Sequence, residues 1–149
     1  MTKSGKIRII VSAVSILLFI FIIIPFILQP NSKRWKVNVI EKNWNISIPK
    51  EIDVLYYNQS GFSFFGDGNY YTVAKIESNL DLEDFKLVDD DLQLEIESWY
   101  KYSHLDISQE YMFSFTDNLY GQVQKKKDDK CILLYDLELK LLFVLQTFQ

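Results

Sequence analysis

The sequence predicts an α+β domain behind a membrane-spanning helix, and three observations lead there. Residues 7–28 form one apolar run in which Arg8 is the only charge. Phe85, Val88, Leu92, Ile96 and Trp99 recur in steps of 3, 4, 4 and 3, the stripe of an amphipathic helix. Around that stripe lie short runs of alternating or β-rich residues, the period of strands. Helices set against an antiparallel sheet are the layer architecture that such a pattern builds.

The first element is the anchor. After Arg8 come 20 uncharged residues, with Ser12 and Ser15 as the only polar members. About 20 apolar residues are enough for a helix to cross the hydrocarbon core. The two serines can bond back to their own helix carbonyls. Pro25 sits near the far end, where a kink is tolerated. A cleavable signal peptide would have a shorter apolar core and small residues before the cut, and residues 25–29 offer no such site. A buried core helix would show a polar face. Lys3, Lys6 and Arg8 flank one end and Lys33, Arg34 and Lys36 the other. The α-amino group and the abutting charges of the first end favour an N-terminus in the cytoplasm and a C-terminal domain outside. The expected division is a tail over 1–6, a span over 7–28, a juxtamembrane hinge over 29–34 and an extracytoplasmic domain over 35–149, the whole placed at the cell membrane as a single-pass protein.

Residues 35–39 and 44–48 alternate apolar and polar, which predicts two strands, the second stopped by Pro49. Residues 62–64 and 70–76 flank Gly66-Asp67-Gly68-Asn69. Asp-Gly between aromatic and β-branched runs predicts a hairpin with a two-residue turn and Gly68 at positive φ. The main helix is expected near 90–102, with Asp90 as its cap, Gln93 three residues on, and a short helical turn at 81–87. Residues 119–124, 131–136 and 141–148 predict a three-strand meander, with connections at 125–130 and 137–140.

Charge and composition exclude several functions. The net charge of −4 lacks the basic balance of a nucleic-acid binder. Beyond residue 30 stand 13 basic and 20 acidic residues, which leaves that part at −7. One Cys and one His cannot make an ordinary zinc site or an internal disulfide framework. No catalytic residue, metal or cofactor is expected.

Each candidate residue has a plain reading beside a chemical one. His104, past the helix end, suits the negative pole of the helix dipole as well as it suits a general base. Cys131 opens an apolar strand, where a lone Cys is usually a small hydrophobe. Asp89, Asp90 and Asp91 lack the spacing of a calcium loop and suit a helix start. Lys125, Lys126 and Lys127 can touch anionic surfaces, or simply blunt a hairpin tip. The least ordinary feature is aromatic: Tyr56, Tyr57, Phe62, Phe64, Phe65, Tyr70 and Tyr71 crowd around three glycines. Packing explains them, and so does a recognition surface, for which Tyr57, Phe62, Phe64, Asp67, Tyr70 and Tyr71 are the candidate residues.

Residues 60–71, Ser-Gly-Phe-Ser-Phe-Phe-Gly-Asp-Gly-Asn-Tyr-Tyr, resemble the Gly-Phe-x-Gly-Asp-Gly-x-x-Tyr segment of small uncharacterised single-pass membrane proteins of Bacillus-type, low-GC Gram-positive bacteria. This chain departs from it by extra residues between Phe62 and Gly66. The resemblance implies a source and an architecture closed by a C-terminal strand pair, and it implies no activity. Two functions follow as expectations. The first is a non-enzymatic binding or interaction module tethered to the bilayer, with a membrane or envelope protein or a peptide as partner and no nucleic acid. The second is an envelope hydrolase using paired carboxylates, for which Asp67, Asp106 and Glu110 are available.

Overall fold

A computed structural model describes residues 33–60, 67–78 and 80–149. The expected span over 7–28 lies outside the described residues, as do Phe62 and Phe64. Among the described residues no helix is long and apolar enough to cross a membrane. Residues 40–149 form one compact unit.

The first described element is a helix, α1 (Lys33–Trp44), where the alternation of residues 35–39 predicted a strand. The reason lies further along. Val37, Ile40 and Trp44 are spaced by three and four and are the buried positions, while Trp35 is exposed. Residues 44–48 form no strand either. Asn45 adopts a left-handed conformation (φ 52°) just past the helix. The Ile46 N–H then donates to the Glu41 carbonyl at 3.2 Å, the six-to-one bond of a Schellman cap. Glu41 Oε1 also accepts from the Ile48 N–H at 2.9 Å. Backbone donors that a strand would have offered to a neighbour are thus consumed by the helix end.

The sheet has six antiparallel strands in the order β1-β2-β6-β5-β4-β3. They are β1 (Ile52–Gln59), β2 (Gly68–Ile76), β3 (Lys86–Leu87), β4 (Leu119–Lys126), β5 (Asp129–Asp136) and β6 (Leu141–Phe148). Helix α2 (Asp90–Ser103) lies between β3 and β4 in sequence. The fold is therefore α+β, and the expected C-terminal meander is present as β4-β5-β6. Its first turn is tighter than expected, because Lys126 pairs with Asp129 and only Lys127 and Asp128 remain at the tip.

The N-terminal hairpin is real but is built differently. Its first strand is β1, which the sequence reading passed over, and Gln59 stands opposite Tyr70. The connection is therefore longer than the two-residue Asp67-Gly68 turn that was expected. Gly68 instead begins β2 opposite Phe148 of β6. Its φ of +135° is the expected positive value, reached for another reason. A Cβ at this position would stand 3.2 Å from Ser60 Oγ and 3.4 Å from the Ser60 carbonyl. Gly68→Val should therefore cost about 1–3 kcal/mol, while the exposed Asp67→Asn should leave folding unchanged. Paired urea melts check both, and a neutral Gly68→Val would remove the strain from this position.

Helix α2 starts at residue 90 as expected, but its cap lies one residue before the expected one. Asp89 is the N-cap, and its Oδ1 accepts from the Leu92 N–H at 2.9 Å. The Lys86 ammonium, 2.8 Å from its other oxygen, and that N–H hold the Asp89 carboxyl below the usual carboxylate range. Residues 81–87 hold no helix: Phe85 N–H closes a turn onto the Leu82 carbonyl, and β3 follows.

Leu92, Ile96 and Trp99 press α2 onto one face of the sheet, over Tyr71, Val73, Ile132, Leu134, Phe143 and Leu145. The other face buries Ala74, Ile76, Cys131, Leu133, Leu142 and Val144. All of Cys131 through Asp136 is buried, so β5 reads as a continuous run rather than an alternation, as a strand covered on both faces does.

Candidate functional site

Strand alternation divides the aromatic cluster between the two faces. On the α2 face, Tyr71 has no exposed surface, so it is a core residue and not part of a recognition surface. Its hydroxyl donates to the Tyr111 carbonyl at 2.8 Å, and its ring meets Tyr56, Trp99 and Tyr100, each with centroids 6.1 Å away. Burial pushes its phenol pKa far up, and it stays neutral. On the opposite face Tyr57 and Tyr70 are half-buried. Tyr70 sets its ring edge-on to Phe148 at 5.6 Å, and Trp44 meets the same Phe148 at 5.6 Å. Burial, with Tyr70 nearby, pushes Tyr57 up to about 12, while its hydroxyl donates to Gln59 Oε1 at 2.8 Å. Asp67 is exposed just before β2.

The other candidates resolve into structural roles. His104 is the left-handed cap of α2 (φ 54°, ψ 27°). Cys131 is fully buried, and desolvation pushes its thiol up, away from the reactive thiolate. Lys125 is engaged rather than free, since Glu95 Oε1 lies 3.2 Å from Lys125 Nζ and 3.0 Å from Lys130 Nζ. Burial raises the Glu95 pKa, but the Lys130 and Lys125 ammonium groups outweigh it and hold the carboxyl below its usual range. Lys126 and Lys127 remain exposed at the tip. Asp106 offers its backbone carbonyl to Asn58 Nδ2 at 2.7 Å.

Two concavities flank β4. The first, about 200 Å³, lies on the face opposite α2. One wall is residues 45–48, fixed by Glu41; the other is residues 80–85. Leu133 and Leu142 form its apolar floor with Ile48 and Phe85, and Gln122 and Gln124 enter from β4. Asp81, Glu83 and Asp84 stand exposed along the second wall, and among the described residues no Lys, Arg or His lines the cleft. The second concavity is a shallow groove on the α2 face, lined by Lys86 and Lys125 together with Asp84, Asp91 and Glu95. Asp67, Asp106 and Glu110 line neither. Among the described residues no group of three or more His, Cys, Asp or Glu could hold a metal ion.

The sequence reading missed the first cleft. Its one local signal is Gln122 and Gln124, two amides on alternate positions of β4. Phe85 was assigned to the α2 stripe, and the turn at 82–85 carries it to the cleft instead. Neither a family model, nor a curated protein sequence, nor a solved structure matches the chain.

Proposed function

We propose that this is a single-pass membrane protein whose domain beyond residue 34 is an extracytoplasmic, non-enzymatic binding module, with the cleft beside β4 as its binding surface. The cleft is the observation that carries the reading. It sets polar side chains from β4 and from the two walls around an apolar floor, and polar groups placed in that way are what fix a ligand's orientation. The uncharged run over residues 9–28 supports the anchor, and the basic residues before it support the orientation. The resemblance of residues 60–71 supports a low-GC Gram-positive source.

The protein should sediment with membranes at its full-length mass; a soluble product starting near residues 29–33 would replace the anchor by a cleaved signal. Orientation is read with Asp128→Cys at the exposed hairpin tip and an impermeant maleimide on intact cells. Buried Cys131 contributes no background to that labelling. Reaction only after lysis would put the domain inside. Binding is tested with a photo-crosslinking residue at Phe85 of the full-length protein in its native membrane. A discrete adduct that disappears when Gln122→Trp fills the cleft is the expected result, and its absence would overturn the module reading.

A further inference from the structure

We propose that the first turn of α1 is a second membrane contact, in which Trp35 lies among the lipid headgroups and Arg34 and Lys36 take the phosphates of anionic phospholipids. This rests on reading residues 7–28 as the span. The packing of α1 does not account for these side chains. Val37, Ile40 and Trp44 are its buried positions. Trp35, Asn38 and Lys42 follow one another in steps of three and four on its exposed side. Trp35 is the apolar member of that stripe and is 46% exposed. Water is a poor surrounding for an indole, whereas the membrane interface accommodates both its apolar ring and its N–H.

The charges select the lipid. Consecutive helical positions are turned by about 100°, so Arg34 and Lys36 flank Trp35 on either side of its stripe. The first turn of α1 holds no acidic residue. A helix start is the positive pole of the dipole, so these cations stand against the electrostatics of their own helix. A layer of phosphates supplies the opposite charge, and anionic lipids supply more of it than zwitterionic ones. Chain length keeps the turn in place. Trp35 stands seven residues past Leu28, where the uncharged run ends. That interval spans about 10 Å as a helix and at most about 24 Å fully extended, which leaves the turn within reach of the headgroup layer. A free phosphate would have no use for the exposed indole between the two cations.

The test places the full-length protein in symmetric vesicles of phosphatidylcholine mixed with phosphatidylglycerol and reads tryptophan fluorescence. Trp44 and Trp99 are buried, so bromine carried high on the lipid acyl chain should quench Trp35 alone. That quenching should vanish in Trp35→Phe. Moving the bromine from phosphatidylcholine to phosphatidylglycerol at equal mole fraction should reveal a preference of about fivefold for the anionic lipid, the effect of roughly one basic residue at a charged surface. Rising salt should erode the preference. Arg34→Gln with Lys36→Gln should bring it close to one while Trp35 stays quenched, and the wild-type lipid comparison decides the matter even if that variant folds poorly. Quenching that survives in Trp35→Phe overturns the headgroup position of Trp35, and so does a Trp35 emission reached by aqueous iodide but not by bromine. Emission shifted to the blue yet quenched by neither would make the cover a protein and overturn the lipid as occupant. Equal quenching by the two labelled lipids overturns the anionic preference. Flotation of the vesicles separates this reading from the one beneath it: protein that floats with Trp35 unquenched keeps its span and loses this contact, and protein that does not float loses both.

Discussion

Gly121→Val is expected to be among the most damaging single substitutions in the domain. A Cβ at residue 121 would fall 2.5 Å from Leu92 Cδ2 and 3.1 Å from Leu134 Cδ2. Leu92 is 3% exposed and Leu134 has no exposed surface, so relief must come from moving the Leu92 side chain toward the groove that Leu92 and Gly121 both line. The glycine is what lets the first turn of α2 settle against β4. Overpacking of this kind costs about 1–3 kcal/mol for Gly121→Ala and about 3 kcal/mol or more for the larger valine. Urea unfolding of the two variants gives the magnitudes. A double-mutant cycle with Leu92→Ala gives the cause, because vacating the Leu92 methyls should relieve part of the Gly121→Ala penalty. Strict additivity in that cycle would show that the close approach is not what the glycine serves.

Tyr71→Ala should cost about 3–5 kcal/mol, the usual range for removing a buried aromatic ring. Its ring adjoins Tyr56, Trp99 and Tyr100 in the main core, which joins β1, β2 and α2. Tyr71→Phe keeps the ring and loses the bond to the Tyr111 carbonyl together with the contact to the Tyr100 hydroxyl, which should cost about 1–1.5 kcal/mol. The ordering matters more than either value. Equal losses would place the stability in the hydroxyl rather than the ring. An intact melting transition in Tyr71→Ala, together with lost binding to a partner, would return Tyr71 to a recognition surface.

Residues 35–39 alternate like a strand, yet Ile40 and Trp44 extend the buried positions to a helical spacing. A window of five residues samples too little of either period to separate them. β1 was passed over although Val54, Tyr56 and Tyr57 are good strand formers, because the Asp67-Gly68 signal drew the hairpin toward residues 62–64. The positive φ at Gly68 was anticipated for a tight turn; it actually serves the entry into β2 beside Ser60.

What the sequence by itself determined is the class of the domain, the main helix and the meander β4-β5-β6. These are local matters: an apolar stripe at period 3.6, acidic residues at the helix start, and β-rich runs joined by short polar turns. What only the tertiary structure decided is how distant segments meet. The hairpin β1-β2 joins the meander through β6, about 70 residues away, in a register running from Gly68↔Phe148 to Lys75↔Leu141. That docking sends Tyr71 into the core and leaves Tyr57 and Tyr70 on the opposite face. The cleft draws on residues 45–48, 80, 81, 83–85, 122, 124, 133 and 142, and no single element of the chain supplies that set. Backbone preference and hydrophobic period act over a few residues, whereas a binding surface is set by which buried faces pair across the sheet, and that pairing is a property of the whole packed domain.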